Sequence, residues 1–283
     1  MRNIAFVILI LTLSNCSNKN IDRQENDWVE HNLFGSVKHF TRLIYHADDV
    51  FGEIKKGKPK PFDTHNGMPP NVTTVFNKEG FITEVTRFNL DSSNYVRSVL
   101  LYGENNLQIE RKVFGKDSLL SVTKYKNDDN GNLVESRSYE PNGQLNAVYL
   151  NTYDESGYKI EEVVSYQNSD ERRTYIFTND KKGNTIEERE VRPFKDDYIT
   201  SYKYDDKGRE IQRIEYTGDR SNSIQTFKYN ENGDQIESHY KGDYYSVYIK
   251  YEYSYDKKGN WVKRITYEDG IPAEIAERSY TYY

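Results

Sequence analysis

The 283-residue chain contains one cysteine, Cys16, so no disulfide bond can form within it. It also lacks an excess of basic residues, since 39 Lys and Arg stand against 45 Asp and Glu, for a net charge of −6. This balance excludes nucleic acid as the main partner, because contacts to phosphates need a basic patch. The Gly-x-Ser-x-Gly, His-Glu-x-x-His and phosphate-loop motifs are missing too. We therefore expect a protein that is not an enzyme and that has no cofactor.

Hydrophobic residues are also scarce, at 35% of the chain against 30% charged residues, and this balance alone is compatible with disorder. The aromatic content argues against disorder, because the chain has 26 Tyr and 12 Phe, and disordered segments are poor in both. A tyrosine buries a large ring while its hydroxyl group stays hydrated. A thin, partly hydrated core of tyrosines favours an extended sheet over a compact globule.

The N-terminus has the features of an export signal over residues 1–15: Arg2, then an apolar run over 4–13, then polar residues. That run is too short to span a bilayer as a helix. The sequence LSNC at 13–16 resembles a bacterial lipobox, which implies cleavage before Cys16 and lipidation of its side chain. An ordinary secreted protein with a chance cysteine is the alternative.

Residues 16–27 are polar and are expected to form a flexible tether between the anchor and the folded part. Ser17 follows the lipobox cysteine, and in bacterial lipoproteins this favours the outer membrane over retention at the inner one. We therefore expect an exported, outer-membrane-anchored lipoprotein. Both the periplasmic and the surface face of that membrane remain open.

The most regular feature of the sequence is a turn motif that recurs eight times between residue 76 and the end. Each copy is an aromatic residue, a short acidic or amide-rich stretch and then glycine, as in Tyr204-Asp-Asp-Lys-Gly208. The glycine slots are separated by 25 or 26 residues and lie at 80, 106, 131, 157, 183, 208, 233 and 259. Asn106 fills the second slot, and asparagine tolerates a positive φ better than most residues. The motif predicts hairpin turns closed by glycine and by Asp or Asn side chains.

Extended strands are predicted on both sides of each turn. Aromatic residues occupy alternate positions before the turns, for example Tyr251, Tyr253 and Tyr255, and this is the period of a half-buried strand. Eight repeats then give an all-β domain over 76–283, an elongated, curved antiparallel meander of about sixteen strands.

The turn motif resembles the YD repeat of Rhs and teneurin proteins, most closely in the sequence YDDKGREI at 204–211. With its GSVKHFT stretch at 35–41 and GNWVKR at 259–264, the chain also resembles a group of Bacteroidota lipoproteins that carry YD-like repeats. The resemblance implies a shell-like sheet, although this array is much shorter than those of Rhs proteins. Neither a toxin domain nor an Asp-Pro cleavage signature follows the repeats, so toxin delivery is not implied.

Residues 28–75 precede the repeats and are expected to hold one capping strand over 36–45 and a long loop over 48–71. Five side chains of types that bind zinc lie in this region. They are His46, Asp48, Asp49, Asp63 and His65. A lysine-rich stretch separates their two halves, so we expect a solvated loop and no metal site.

Five aromatic residues near the C-terminal end form the predicted binding site. They are Tyr240, Tyr244, Tyr245, Tyr248 and Trp261. Tyrosines this dense must point to both faces of the strands, so some are exposed, whereas most other tyrosines are expected to form the core by cross-strand pairing.

The function predicted from these features is that of a non-enzymatic binding or scaffold module for a polysaccharide, a cell-wall fragment or an envelope protein. A carbohydrate-active enzyme with an unrecognised carboxylate pair is the alternative. A membrane-spanning barrel is not expected, because Lys, Glu and Arg occupy the positions that would face lipid.

Overall fold

The computed structural model describes residues 26–60, 69–91, 95–116, 118–167, 169 and 172–283. Apart from a short helix, α1 (Asp27–Glu30), and a 3-10 turn over Glu104–Asn106, these residues form strands and the turns between them. Among them, no helix is long and apolar enough to cross a membrane. The strands of the described ranges are β1 (Val37–Val50), β2 (Glu53–Pro59), β3 (Asn71–Phe76), β4 (Ile82–Phe88), β5 (Tyr95–Tyr102), β6 (Gln108–Phe114), β7 (Leu119–Asn127), β8 (Leu133–Tyr139), β9 (Leu145–Tyr153), β10 (Lys159–Tyr166), β11 (Arg172–Asn179), β12 (Thr185–Val191), β13 (Tyr198–Tyr204), β14 (Glu210–Thr217), β15 (Arg220–Tyr229), β16 (Gln235–Gly242), β17 (Ser246–Tyr255), β18 (Trp261–Glu268) and β19 (Ile271–Tyr282).

The sheet is a closed antiparallel barrel. From β3 to β19 each strand pairs with the next one in sequence, as in β13 with β14 and β17 with β18. The ring closes at β1, where Phe40 lies opposite Tyr280 of β19 on one side and opposite Thr74 of β3 on the other. Eighteen strands therefore form the ring, and β2 is a hairpin extension that pairs with the distal half of β1.

The predicted elongated, curved meander of about sixteen strands is therefore wrong. The eight turns do produce sixteen strands, β3 to β18, but β19 and β1 add two more and join the ends of the sheet. An open sheet would leave two edges with unpaired backbone N–H and C=O groups. Closure removes both edges, because β1 donates and accepts hydrogen bonds on its two sides.

The region before the repeats also differs from the expectation. The capping strand expected over 36–45 is β1, which runs to Val50 and closes the barrel. The stretch 48–71, expected as one long loop, contains β2. Residues 61–68 of that stretch lie outside the described residues.

The hairpin turns have the predicted mechanism. In the turn after β13, the backbone N–H groups of Lys207 and Arg209 donate to Asp205 Oδ1 at 2.9 and 3.0 Å, and Gly208 has a φ of 78°. Asn106, in the second slot, has a φ of 55°, as its tolerance for that region predicted. Because a meander alternates its turns between the two ends, all eight of these turns lie at one end of the barrel, here called the glycine rim.

The two clusters of buried hydrophobic residues lie in one sector of the barrel, where the ends of the chain meet. Phe40 and Phe76 are buried there with Val37, Val72 and Leu33. A second buried cluster, of Ile44, Trp261 and Ala276, adjoins it on β18, β19 and β1. We call this sector the closing seam.

Candidate functional site

The N-terminal segment identifies the inner face of the barrel. Asn26, Asn32 and Phe34 form hydrogen bonds of 2.6 to 2.8 Å with residues of three turns on the glycine rim. Those turns lie on both sides of β1 in the ring and carry Glu79, Asn232 and Asn260. Such a short segment reaches them all only across the concave side of the wall. Its Trp28 packs against the cluster of Phe40 and Phe76, so the face that carries Phe40 is the inner one.

Aromatic residues line this inner face all round the barrel. Directly opposed residues of neighbouring strands share a face, and on this rule Tyr253 of β17 points inwards with Arg264, its partner on β18. The other strands that precede a glycine-rim turn also carry inward aromatic residues. Examples of their inward aromatic residues are Tyr102, Tyr125, Tyr149, Tyr175, Tyr202, Phe227 and Tyr251.

Many inner tyrosines also join neighbouring hairpins to one another. Tyr204 Oη donates to the carbonyl oxygen of Thr185 at 2.7 Å, and Tyr229 makes the same bond to Glu210 at 2.7 Å. In each case the acceptor begins the preceding strand, close to the glycine rim. The same bond is made by Tyr102, Tyr153, Tyr253 and Tyr280. These hydroxyl groups satisfy carbonyl groups at the ends of the strands.

Arginine side chains accompany the aromatic rings at the closing seam. The Arg278 guanidinium lies 3.8 Å from the Trp261 ring centroid and 4.7 Å from that of Phe40. The Arg264 guanidinium lies 5.0 Å from the Tyr251 ring centroid. Rings and cations at these distances attract one another, which fixes the planes of the guanidinium groups against the wall.

The wall across the barrel, formed by β10 to β14, carries inward carboxylates. Burial raises the pKa of Glu188, an effect that the nearby Lys159 and the Tyr202 hydroxyl group oppose and that Glu162 reinforces. Arg213 on the same wall is neutralised, because its Nε and Nη2 atoms each donate to Glu210 at 3.0 Å. The inner surface is thus positive at the closing seam and largely acidic or neutral on the opposite wall.

The space between the two walls is wide by the geometry of the ring. Eighteen strands spaced about 4.8 Å apart and tilted by about 40° give a radius of roughly 18 Å for a circular barrel. Barrels of sixteen to eighteen strands are wider than their side chains can fill. In agreement, inner residues outside the closing seam, such as Tyr202 and Tyr229, stay partly exposed. The inner wall is the candidate functional site.

The structure separates the five residues of the predicted aromatic site. Trp261 is 7% exposed and belongs to the closing seam. Tyr240 and Tyr245 contact each other with ring centroids 4.9 Å apart, and Tyr245 is 63% exposed. Tyr244 is 96% exposed in the loop between β16 and β17, whereas Tyr248 lies on the outer face, opposite His239. Exposed tyrosines near 240–248 were predicted, but the five do not form one surface.

Some of the residues singled out in the sequence lie beyond the described part of the chain. Cys16, the predicted lipidation site, is outside it, as are Asp63 and His65, two of the five side chains from which no metal site was expected. Within the described ranges, no three His, Cys, Asp or Glu side chains are placed to hold a metal ion. The residues that sequence reasoning missed are the inward arginines of the closing seam. The sequence shows that these arginines alternate with residues of the other strand face, but it does not show which of the two faces is the inner one.

Two of the comparisons with known proteins found nothing. No protein-family model and no curated protein matches it. The resemblance of its turns to YD repeats is therefore not supported by any family match.

Several solved structures are similar to this chain at low sequence identity. A porin-like protein from Bacteroides uniformis ATCC 8492 is 8% identical, with a TM-score of 0.42 over 87% of this chain and 96% of that chain. A porin-like protein from Bacteroides vulgatus ATCC 8482 is 11% identical, with a TM-score of 0.33 over 87% and 98%. The TcdB2-TccC3-Cdc42 structure is 11% identical, with a TM-score of 0.33 over 84% of this chain and 16% of that chain. All these scores lie below 0.5, so the assignment of the barrel rests on the pairing of its strands.

Proposed function

We propose that this chain is a non-enzymatic binding protein of the cell envelope, whose barrel binds a glycan on its inner wall. The observation that carries the proposal is the row of partly exposed inner aromatic residues, such as Tyr202, Phe227 and Tyr251, on every second strand. Aromatic faces pack against the C–H faces of sugar rings, and the neighbouring polar groups can bind hydroxyl groups. A row that follows the wall suits an extended ligand.

The protein is held at the outer membrane by the lipidated Cys16 and not by the wall of its barrel. The outer face carries ion pairs, for example Arg97 with Glu84 at 2.9 Å and Lys228 with Glu237 at 2.6 Å. Charged side chains that face lipid near the bilayer centre cost about 2–4 kcal/mol for each Arg or Lys. In cells, Cys16→Ala should release the protein from the membrane fraction, and a variant that stays attached would rule out the lipid anchor.

Glycan binding is tested with a glycan array and with two tyrosine variants of the same strand. Tyr251 points inwards and Tyr248 outwards, so Tyr251→Leu should weaken binding of the best array ligand at least tenfold while Tyr248→Leu leaves it unchanged. The reverse result would move the site to the outer face. If the array shows no binding and crosslinking in the native envelope recovers a protein partner, the glycan proposal fails.

Hydrolysis of a glycan is the second candidate, and one observation favours it. Burial raises the pKa of Glu188, and Glu162 on the same inner wall adds to this effect. Two carboxyl groups on one wall, one of them with a raised pKa, are the side chains that glycosidases use. If the protein cleaves an array ligand, Glu188→Gln should abolish cleavage and retain binding. Intact ligand after prolonged incubation with the protein would exclude this candidate.

A further inference from the structure

Five arginines form a stripe along the inner wall, which starts at the closing seam and extends to β6. Arg42 of β1 lies directly opposite Arg278 of β19. Arg264, on β18, points to the same face, because its opposed partner, Ala276, alternates with Arg278 along β19. On the other side of β1, Val72 of β3 lies opposite both Arg42 and Arg87 of β4. Arg111 of β6 completes the set, which we call the arginine stripe, and its Nη2 donates to Ser98 at 3.0 Å.

The described residues do not pair these charges with carboxylates. Between described residues, no ion pair involves any arginine of the stripe, whereas Arg213 on the opposite wall binds Glu210 through two nitrogen atoms. The Nε atoms of four of the five are buried without a hydrogen-bond partner. These four are Arg42, Arg111, Arg264 and Arg278. The Tyr280 hydroxyl group beside Arg278 can accept a hydrogen bond but brings no negative charge.

The electrostatic environment of Arg42 reflects this imbalance. Burial, followed by repulsion from Arg278, Arg264 and Arg87, lowers the pKa of Arg42 to about 10. The carboxylate that opposes the effect is Glu274, which is itself 3.3 Å from Lys60. Gathering like charges in a partly buried wall destabilises the unliganded protein. A bound anion would reverse that cost.

The geometry also indicates what shape of anion would fit. From β18 to β6 the stripe crosses six strand spacings, or about 29 Å at the usual distance between paired strands. A single small anion cannot reach all five side chains over that length. Guanidinium groups bind the planar forks of carboxylates and the oxygens of phosphates and sulfates through paired N–H groups. A chain that carries such groups at intervals would match the stripe.

We propose that the arginine stripe binds a polyanionic glycan, whose carboxylate, phosphate or sulfate groups pair with the inward guanidinium groups. The inference rests on the proposed glycan-binding function and names the charge class of its ligand. Trp261 and Tyr251, which contact Arg278 and Arg264, would border the same path, so sugar rings and anionic groups meet adjacent side chains.

Calorimetric titration of the purified full-length protein tests the inference with probes of defined charge. The anionic probes are a galacturonate oligomer for carboxylates, a heparin oligosaccharide for sulfates and a polyphosphate for phosphates, and a neutral galactan oligomer serves as comparison. At least one anionic probe should bind at least tenfold more tightly than the galactan, and its affinity should fall as salt is raised. Polyphosphate binding alone would show that anionic groups suffice without a sugar, which overturns the glycan part of the inference.

Two variants separate the stripe from the rest of the surface. Arg42→Gln should weaken the binding of the anionic probe at least tenfold. It should also raise the melting temperature of the unliganded protein, because it removes repulsion among the arginines. Arg137→Gln, on the outer face beside Glu135, should leave binding unchanged. If Arg42→Gln does not fold, Arg87→Gln provides the same test from the other side of β3.

The outcomes distinguish the two proposals. Equal binding of galactan and anionic probes, with no effect of the arginine variants, would overturn the arginine stripe as an anion site and leave glycan binding intact. Binding of none of the probes or array glycans would overturn both. Anion binding that survives Arg42→Gln and Arg87→Gln would place the anion elsewhere and also overturn the inference.

Discussion

Truncation of Phe76 tests whether the barrel is held closed at the seam. Phe76 ends β3, is 1% exposed, and has the rings of Trp28, His31 and Phe40 around it at 6.1 to 6.4 Å between centroids. Phe76→Ala removes that ring from a site with no access to water, and such substitutions cost about 3–5 kcal/mol. The three ring contacts argue for the upper half of the range, because aromatic pairs contribute roughly 0.5–1.5 kcal/mol beyond the area they bury.

Urea denaturation followed by intrinsic fluorescence would measure the loss, and hydrogen exchange would locate it. Amides of β1, β3 and β19 should lose protection first, since these strands meet at the substituted position. Phe194→Ala is the matched control, because Phe194 lies in the loop between β12 and β13 and is 105% exposed. The control should change stability by less than about 0.5 kcal/mol. A Phe76→Ala loss below about 1 kcal/mol, or uniform loss of protection round the ring, would refute the argument that this packing closes the barrel.

Three further predictions concern the turns and the tyrosines that join hairpins. Gly208→Ala should cost about 1–2 kcal/mol in urea denaturation, because Gly208 has a φ of 78° and a Cβ is strained in that region. Burial disfavours the charged form of Asp205, but its hydrogen bonds with the side chain and backbone of Arg209 outweigh burial and lower its pKa from 3.8. Its contribution is therefore full above that value and is lost as the pH falls through the lowered pKa, and Asp205→Ala should flatten the acid limb of a stability–pH curve. Burial, and secondarily Glu210, raises the pKa of Tyr204 to about 12. The contribution of its hydrogen bond to stability is therefore full below pH 10 and is lost as the pH rises through about 12. Tyr204→Phe should cost about 0.5–1.5 kcal/mol at neutral pH and progressively less above pH 10.

The local structure of the repeats could be predicted from the sequence because each signal acts over a few residues. Gly208 needs a positive φ, Asp205 accepts from backbone N–H groups two and four residues ahead, and aromatic residues alternate along the preceding strand. Asn106 was predictable on the same grounds, although it breaks the glycine pattern. None of these signals depends on the rest of the chain.

Closure could not be predicted in this way, because it joins parts of the chain that are far apart in sequence. Arg42 and Arg278 are directly opposed, yet neither β1 nor β19 contains one of the repeated turns that identified the other strands. The period-two pattern divides each strand into two faces and does not say which face is concave. The outward lysines and glutamates and the inward arginines are therefore equivalent in the sequence. The two faces are distinguished by the N-terminal segment, whose Trp28 packs on the inner face.

The site of closure and the arginine stripe lie in the same sector, and this joins stability to binding. Arg42, Arg264 and Arg278 belong to the three strands β1, β18 and β19, whose buried residues form the second core cluster. Repulsion among the arginines therefore acts against the packing that keeps the ends of the sheet together. An anion bound there would relieve the repulsion and favour the closed barrel by mass action. In the barrel without the ligand, the packing of the closing seam has to outweigh this repulsion, so the stability of the seam and the binding of the anion are coupled.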